Sequence, residues 1–244
     1  MRSNMRILIT NDDGAGAVQL LPLIRWCRKL GEVTTIVPKT EQSAKSHSIE
    51  IHKAFEAKQI ALADDVTIWT VDSTPADCVR FACSCLNMHF DLVISGVNRG
   101  LNLGHDIMYS GTFAAACEAV NNGMQAIALS TSIPNYDRAT DHLDEIFEFL
   151  KKHCLLKHND LYNINIPENP KGIRITRQGG PYFAEGFQAM ENDMYCPIGK
   201  PVPPESTDLS LDTVAYRNGF ISISPMTTDR TNNEVFHILT PLNG

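Results

Sequence analysis

The chain has 244 residues, a formal net charge of −7 and a hydrophobic content of 43%, as expected for a globular protein of one large domain or a domain with an appendage. The acidic balance argues against a nucleic-acid polymer as the main partner, because phosphate backbones are bound by basic surfaces. We find neither an apolar run long enough to span a bilayer nor a cleavable signal sequence, so we expect no membrane partner.

The cysteines predict a reducing compartment. Seven of them are scattered along the chain without a CxxC pair, which is typical of reduced thiols in a cytoplasmic protein. Cys83 and Cys85 could form a redox pair or part of a zinc site, but a buried helix face explains them more simply.

The first half of the chain alternates between strand and helix periodicities. This alternation predicts an α/β fold with a doubly wound, mainly parallel sheet over residues 1–160. The apolar run at 91–95 is typical of a central strand, and Thr74, Pro75 and Asp77 form a strong helix start. The predicted strands are 5–10, 32–37, 67–71, 91–95 and 126–130, and the predicted helices are 20–27, 75–86, 111–120 and 141–153.

Beyond residue 160 the pattern changes, and we assign residues 161–244 to a β-rich C-terminal extension that completes the sheet and forms an oligomer interface. Residues 179–211 are rich in Pro and Gly and show no clear periodicity, so we interpret them as a functional or intersubunit loop. The predicted strands of this part are 162–167, 172–177, 219–225 and 234–239.

Two adjacent carboxylates, Asp12 and Asp13, directly follow the first predicted strand. In open parallel sheets this edge is where ligands bind. The two acids would repel each other unless a cation or a network of donors neutralised them, and a hard divalent metal such as Mg²⁺ or Mn²⁺ is the simplest cation. A solvated turn is the alternative, because Asn-Asp-Asp-Gly is also good turn chemistry.

Three further loops that follow strands carry polar side chains. Hydroxyls at 38–48 could hold a metal or a phosphate, although a plain surface loop is the better explanation of this segment taken alone. In the glycine-rich run 95–106, Asn98 offers a neutral oxygen to a metal and Asn102 can donate to a phosphate. His105, in the same run, is a candidate general acid. Ser110 and Thr112 open a helix, where free N–H groups form an anion site, unless one of them is simply an N-cap.

Together these motifs resemble the SurE survival-protein family of 5′/3′-nucleotidases. The resemblance implies a Rossmann-like fold whose C-terminal extension exchanges between subunits of a homodimer or homotetramer. It also implies a metal-dependent phosphatase that acts on nucleoside monophosphates, and some members of the family trim polyphosphate. The residues that carry the resemblance are 9–14, Ser43 with Ser48, 73–79, 91–118, 163–167 and 219–225.

The resemblance also implies roles for individual residues. One Mg²⁺ or Mn²⁺ per subunit is expected at Asp12, Asp13, Ser43 and Asn98, with the two aspartates as catalytic residues. The phosphate is expected at Asn102, Ser110, Gly111 and Thr112, and we expect substitution of Ser110 or Thr112 to leave metal affinity intact. The chain departs from the family pattern at Ala44 (usually Gly), Lys45, Phe113 (usually smaller) and His105 (often acidic), of which the first two put the nucleotide preference in doubt.

Two rival interpretations remain. A haloacid-dehalogenase-like phosphatase also places acids after its first strand. That chemistry requires an Asp-x-Asp motif in which one carboxylate is the nucleophile, whereas the two acids here are adjacent. A nucleotide-binding regulatory protein on the same fold, without turnover, is the rival that is not an enzyme.

Overall fold

The protein is described here by a computed structural model that covers residues 4–203 and 205–242. Its strands are β1 (Met5–Thr10), β2 (Gly31–Pro38), β3 (Ala57–Ala63), β4 (Val66–Val71), β5 (Leu92–Arg99), β6 (Gln125–Thr131), β7 (Leu161–Ile166), β8 (Ile173–Ile175), β9 (Phe183–Ala189), β10 (Tyr195–Pro201) and β11 (Ile221–Met226). Its α-helices are α1 (Leu20–Cys27), α2 (Pro75–Ser84), α3 (Gly111–Asn121), α4 (Leu143–Lys152), α5 (Asp212–Arg217) and α6 (Asn233–Leu239). Turns of 3-10 helix span Gly104–Tyr109, Ile133–His142, Leu155–Lys157 and Thr240–Leu242.

The described residues form a central sheet of nine strands in the order β3-β4-β2-β1-β5-β6-β7-β11-β8. The six strands from β4 to β7 are parallel, while β3 pairs antiparallel with β4 and β11 pairs antiparallel with β7. The chain order reverses between β1 and β5, because β1 is followed by β2 on one side and β5 lies on the other. Ligands of open α/β sheets bind at such a reversal.

Helices cover both faces of this sheet. One apolar cluster contains the buried sides of α1 and α4, and a second contains those of α2 and α3. The small side chains of α3 at 114–116 are buried against the sheet, so this helix can lie close to the strands. The predicted doubly wound, mainly parallel α/β fold is therefore confirmed.

The prediction of an unstructured run at 179–211 is wrong in part, because β9 and β10 pair as an antiparallel hairpin over seven residues. Most of its large apolar side chains, among them Phe187 and Tyr195, are exposed, so no alternation of buried and exposed residues marks the strands. At the turn, Asn192 and Asp193 both have positive φ. Asn and Asp are residue types that hairpin turns favour for this conformation, and the prediction overlooked this pair.

One further prediction is corrected, and one strand was missed. The apolar run predicted as a strand at 234–239 is the helix α6, whose N-cap Asn232 accepts a hydrogen bond from the Val235 N–H at 3.1 Å. A short apolar run fits a helix or a strand, and the capping residue decides between them. The strand β3 was not predicted, because its three alanines are weak strand formers.

The cysteines differ from one another in exposure. All seven lie in the described residues and are free thiols, but Cys85 is exposed rather than part of a buried helix face, and Cys83 is half-buried. No helix in the described part of the chain is long and apolar enough to cross a membrane.

Candidate active site

Asp12 lies at the carboxyl end of β1, against the first turn of α3. Its side chain is 4% exposed, and the Thr112 hydroxyl donates a hydrogen bond to its Oδ1 at 2.5 Å. A Cβ atom at Gly111 would lie 3.1 Å from the Cβ of Asp12, so a larger residue there would press on the carboxylate. Burial raises the pKa of Asp12 to about 6, opposed by the Thr112 hydroxyl and reinforced by the charge of Asp13.

Asp13 is half-buried and has partners from two other elements. The backbone N–H of Arg99, the last residue of β5, donates to its Oδ2 at 3.0 Å. The Tyr136 hydroxyl donates to the same oxygen at 3.4 Å. Burial raises the pKa of Asp13, and the nearby Glu41 adds to the rise, while these donors oppose it. Both carboxylates are thus held in places where their charge is poorly solvated.

Asn98 and Ser43 reach this edge on separate elements. The strand β5 shifts its register between Ser95 and Asn98, and irregularities of this kind redirect side chains at strand ends. The amide of Asn98 donates to the Gly100 carbonyl at 3.0 Å, which leaves its side-chain oxygen facing away from that bond. Ser43 is exposed, and its hydroxyl donates to Glu41 at 2.6 Å.

The loop that carries Ser43 is tied to both sides of the site. The N–H of Gln42 donates to the Asp12 carbonyl at 2.7 Å, which places Ser43 beside the carboxylate pair. Ser46 donates through its N–H to the Tyr109 carbonyl and through its hydroxyl to the Met108 carbonyl. The loop therefore joins the end of β1 to the segment that leads into α3.

The residues predicted to hold phosphate lie near the start of α3, but they use different atoms. Ser110 is the N-cap, and its hydroxyl oxygen accepts from the Phe113 N–H at 3.0 Å. Thr112 is fully buried and commits its hydroxyl proton to Asp12. The amide of Asn102 donates to Ser130 at 2.7 Å. The expectation that Thr112 is independent of the metal site therefore needs correction, because its hydroxyl contacts a predicted metal ligand.

The donor chemistry of this edge fits a hard divalent cation. Two adjacent carboxylates, an amide oxygen and a hydroxyl are oxygen ligands of the kind that Mg²⁺ and Mn²⁺ favour. The raised pKa of Asp12 indicates a buried negative charge that its neutral hydrogen-bond donor does not fully compensate. The described residues contain no cluster of three or more His, Cys, Asp or Glu side chains suited to a metal.

Comparisons with known proteins match this chain to a family. The family model described as Survival protein SurE matches residues 7–185. A protein of Thermoanaerobacter sp. (strain X514) named 5′-nucleotidase SurE is 37% identical, over 96% of this chain and 97% of the relative. Another of that name, from Gemmatimonas aurantiaca, is 36% identical over 97% of this chain and 98% of the relative. The chain belongs to the SurE family.

A solved member of the SurE family has the same fold. The crystal structure of the SurE protein from Aquifex aeolicus matches with a TM-score of 0.79 and 28% sequence identity, covering 98% of this chain and 100% of that chain. The resemblance drawn from the motifs is therefore confirmed along nearly the whole chain.

Ala44 is the departure from the SurE pattern that has a structural consequence. Its φ is +56°, in the left-handed region where glycine is favoured over residues with a Cβ. The family's usual glycine suits this conformation, whereas alanine is strained there. The loop that carries Ser43 therefore keeps its shape in this SurE chain at a small cost in stability.

Three residues of the site escaped the sequence analysis. Tyr136 and Glu41 bound a cavity of about 500 Å³ together with Asp13 and Arg99. Tyr136 comes from a 3-10 segment far along the chain, and no motif pointed to it. His47, which no motif singled out, is half-buried, and its Nε2 lies 2.9 Å from Glu118. His105, the candidate general acid, is exposed.

Proposed function

We propose that this chain is a metal-dependent nucleotidase that hydrolyses nucleoside monophosphates to nucleoside and phosphate. The observation that carries the proposal is the buried Asp12, which lies against the N-terminus of α3, with the half-buried Asp13 beside it where the strand order reverses. The relatives from Thermoanaerobacter and Gemmatimonas are named 5′-nucleotidase SurE, which supports the same substrate class.

In this proposal Asp12, Asp13, Ser43 and Asn98 hold one Mg²⁺ or Mn²⁺ per subunit. The bound metal would polarise the phosphate and lower the pKa of a coordinated water. Asp12 and Asp13 are the catalytic residues, and Thr112 and the Arg99 N–H orient their oxygens. To bind the metal, the Ser43 hydroxyl must turn away from Glu41, and the exposed position of Ser43 allows this rotation.

The phosphate is bound by the start of α3 and by Asn102. The first N–H groups of a helix have no partners within the helix, and the helix dipole favours an anion there, so Gly111 and Thr112 contribute their backbone N–H groups. The Ser110 hydroxyl accepts from Phe113 and still has its own proton to donate. Asn102 gives one amide hydrogen to Ser130, and the second remains for the phosphate.

A panel of nucleoside monophosphates, assayed for phosphate release with Mg²⁺, with Mn²⁺ and in chelator, tests the proposal. We expect release only with a metal and without a trapped phosphoenzyme, because the carboxylates serve as metal ligands. Short polyphosphates in the same panel test for the exopolyphosphatase activity seen in some of the family. Specific binding of nucleotides without any phosphate release would instead favour the regulatory protein without turnover.

A homodimer or homotetramer is the second part of the proposal. The β9–β10 hairpin and α6 carry exposed apolar side chains that a partner subunit would cover, among them Phe187, Met190, Tyr195, Phe236 and Ile238. An extension that exchanges between subunits fits the hairpin, whose two strands pair with no other strand of the described residues. A cytoplasmic location is likewise proposed, and the seven free thiols support it.

Light scattering at micromolar concentration tests the assembly. We expect the double variant Phe187→Ser/Tyr195→Ser to shift the protein toward monomer, because it removes apolar area from the hairpin without touching the core. Ile133→Ser, an exposed apolar residue outside the hairpin and α6, is the matched control and should leave the assembly unchanged. A monomer in the unmodified protein would refute this part of the proposal alone.

A further inference from the structure

The main chain at Asn102 is held by two buried side chains of β7. The Asn102 carbonyl accepts hydrogen bonds from Asn163 Nδ2 at 2.8 Å and from Asn165 Nδ2 at 2.9 Å. The Asn102 N–H donates to Asn165 Oδ1 at 2.9 Å. Asn163 and Asn165 are fully buried, so neither amide is shared with solvent.

Two residues further on, the same segment is held by another buried group. The Gly104 N–H donates to Asp212 Oδ2 at 3.0 Å, and the Gly104 carbonyl accepts from the Gln178 amide at 2.8 Å. The other oxygen of Asp212 accepts from the N–H groups of Gly179 and Thr213. A Cβ at Gly104 would lie 1.9 Å from the Gly180 carbonyl oxygen, so the segment fits against the C-terminal part only without a side chain.

This arrangement is unusual for the inner face of a parallel sheet. Along β7 the other face carries Ile164 and Ile166, which belong to an apolar cluster, while Asn163 and Asn165 point to the side of Asn102. Burying an amide is costly unless it is hydrogen-bonded, and apolar side chains would cover this face without that cost. The bonds that both amides make go to one residue, Asn102, which indicates that fixing this residue is their role.

We propose that Asn163, Asn165 and Asp212 are positioning residues that hold the Asn102–Gly104 segment in place for the phosphate. The proposal rests on the proposed function, because it assigns the segment to phosphate binding. None of the three is required to touch the substrate. They act through Asn102, whose main chain they fix at both the N–H and the carbonyl, and through Gly104 at the start of the turn that leads to Ser110.

Asn165→Leu, Asn163→Leu and the control Asn159→Leu test the proposal. Asn159 makes the same kind of bond at the other end of β7, where its amide donates to the Leu161 and Met226 carbonyls. We expect Asn165→Leu to speed hydrogen–deuterium exchange in the peptide 100–106 about tenfold, because three bonds to Asn102 fall to one. Asn163→Leu should have a smaller effect there, and Asn159→Leu none, while β1 and β5 stay protected in all three variants.

Kinetics with a nucleoside monophosphate and Mn²⁺ separate positioning from general damage. A displaced segment should raise KM about tenfold in Asn165→Leu, and the dissociation constant of inorganic phosphate should rise in parallel. A partly unfolded enzyme would instead show a lower apparent kcat at unchanged KM. The proposal is overturned if peptide 100–106 exchanges at the wild-type rate in Asn165→Leu, or if Asn159→Leu produces the same pattern.

The exchange measurement needs no substrate. It therefore tests whether the three residues anchor the Asn102–Gly104 segment even if the proposed function fails. A wild-type protein that releases no phosphate from any nucleotide would end the proposed function, while unchanged exchange would end the anchoring of the segment. If Asn165→Leu does not fold, Asp212→Asn keeps the shape of the side chain and removes its charge. That variant should loosen the same peptide, and wild-type exchange in it would contradict the proposal.

Discussion

Thr112 joins the two halves of the proposed site at the scale of a single residue. Its backbone N–H stands at the helix start that we assign to phosphate, and its hydroxyl donates to Asp12 at 2.5 Å. Hydrogen bonds from neighbouring residues orient metal ligands, and their loss typically weakens metal binding about 10- to 100-fold. In the proposed site, Thr112 would therefore couple phosphate binding to metal binding.

The variant Thr112→Val tests this coupling. We expect it to weaken Mn²⁺ binding about tenfold, because Asp12 loses its one side-chain donor. Thr112→Ser keeps the hydroxyl and should bind Mn²⁺ nearly as the wild type does. Titration calorimetry without substrate measures both, and equal Mn²⁺ affinity in Thr112→Val and wild type would show that the bond is only structural.

The raised pKa of Asp12 gives a prediction for the metal-free protein. The folded state holds the Asp12 proton more tightly than the unfolded chain does, since the pKa rises from 3.8 to about 6. The ionised carboxylate therefore destabilises the fold above pH 6, by up to about 3 kcal/mol, and this penalty disappears as the pH falls from about 6 to 4.

Asp12→Asn should remove that penalty. In chelator at pH 7.5 we expect the variant to be more stable than the wild type in urea unfolding, and the difference should shrink toward pH 4.5. With saturating Mn²⁺ the order should reverse, because only the wild type gains stability from the metal. A stability difference in chelator that does not change with pH would refute the raised pKa.

At the scale of one element, the N-cap of α3 is observed, and anion binding at the same helix start is proposed. Ser110 caps the helix through its oxygen, and in our proposal its proton goes to the phosphate. Ser110→Ala should therefore raise KM or lower kcat by about one to two orders of magnitude, since a hydrogen bond to a charged group contributes roughly 1.5–3 kcal/mol. Loss of the cap alone costs only about 1 kcal/mol of stability.

The matched control for Ser110→Ala is Asn232→Ala, which removes the N-cap of α6. Thermal unfolding and steady-state kinetics of the two variants distinguish the roles. Similar small losses of stability, with a loss of kcat/KM in Ser110→Ala alone, would support a phosphate ligand. Unchanged kcat/KM in Ser110→Ala would make Ser110 a cap and nothing more.

Elements with at least one buried face were predictable from the sequence, and the hairpin without one was not. The strand β5 and the helix α4 have strong apolar patterns because the core selects their residues, and both were placed within a few residues of their true ends. The hairpin β9–β10 has no buried face in the described chain, so its sequence carries no alternation. Its turn residues, with positive φ at Asn192 and Asp193, were the remaining signal.

At the scale of the whole molecule, the candidate site could be located but its contacts could not. The rule that ligands bind at the carboxyl edge of an open parallel sheet assigned the loops after β1 and β5 to one candidate site from the sequence alone. That the strand order reverses between these two strands is seen only in the structure. The sequence did not indicate that Tyr136 would reach Asp13, or that two asparagines of β7 would hold Asn102. Those contacts depend on how distant segments fold over the edge of the sheet.

The central claim is that Asp12 and Asp13 together hold a divalent metal, and Mn²⁺ titration calorimetry on Asp12→Asn and Asp13→Asn tests it most directly. Asp137→Asn, an exposed acid beside the cavity at Asp13, is the control. We predict one Mn²⁺ per subunit in wild type and in Asp137→Asn, and binding at least about a hundredfold weaker in each of the other two, because each loses a charged oxygen ligand. Wild-type affinity for Mn²⁺ in both Asp12→Asn and Asp13→Asn would contradict the claim.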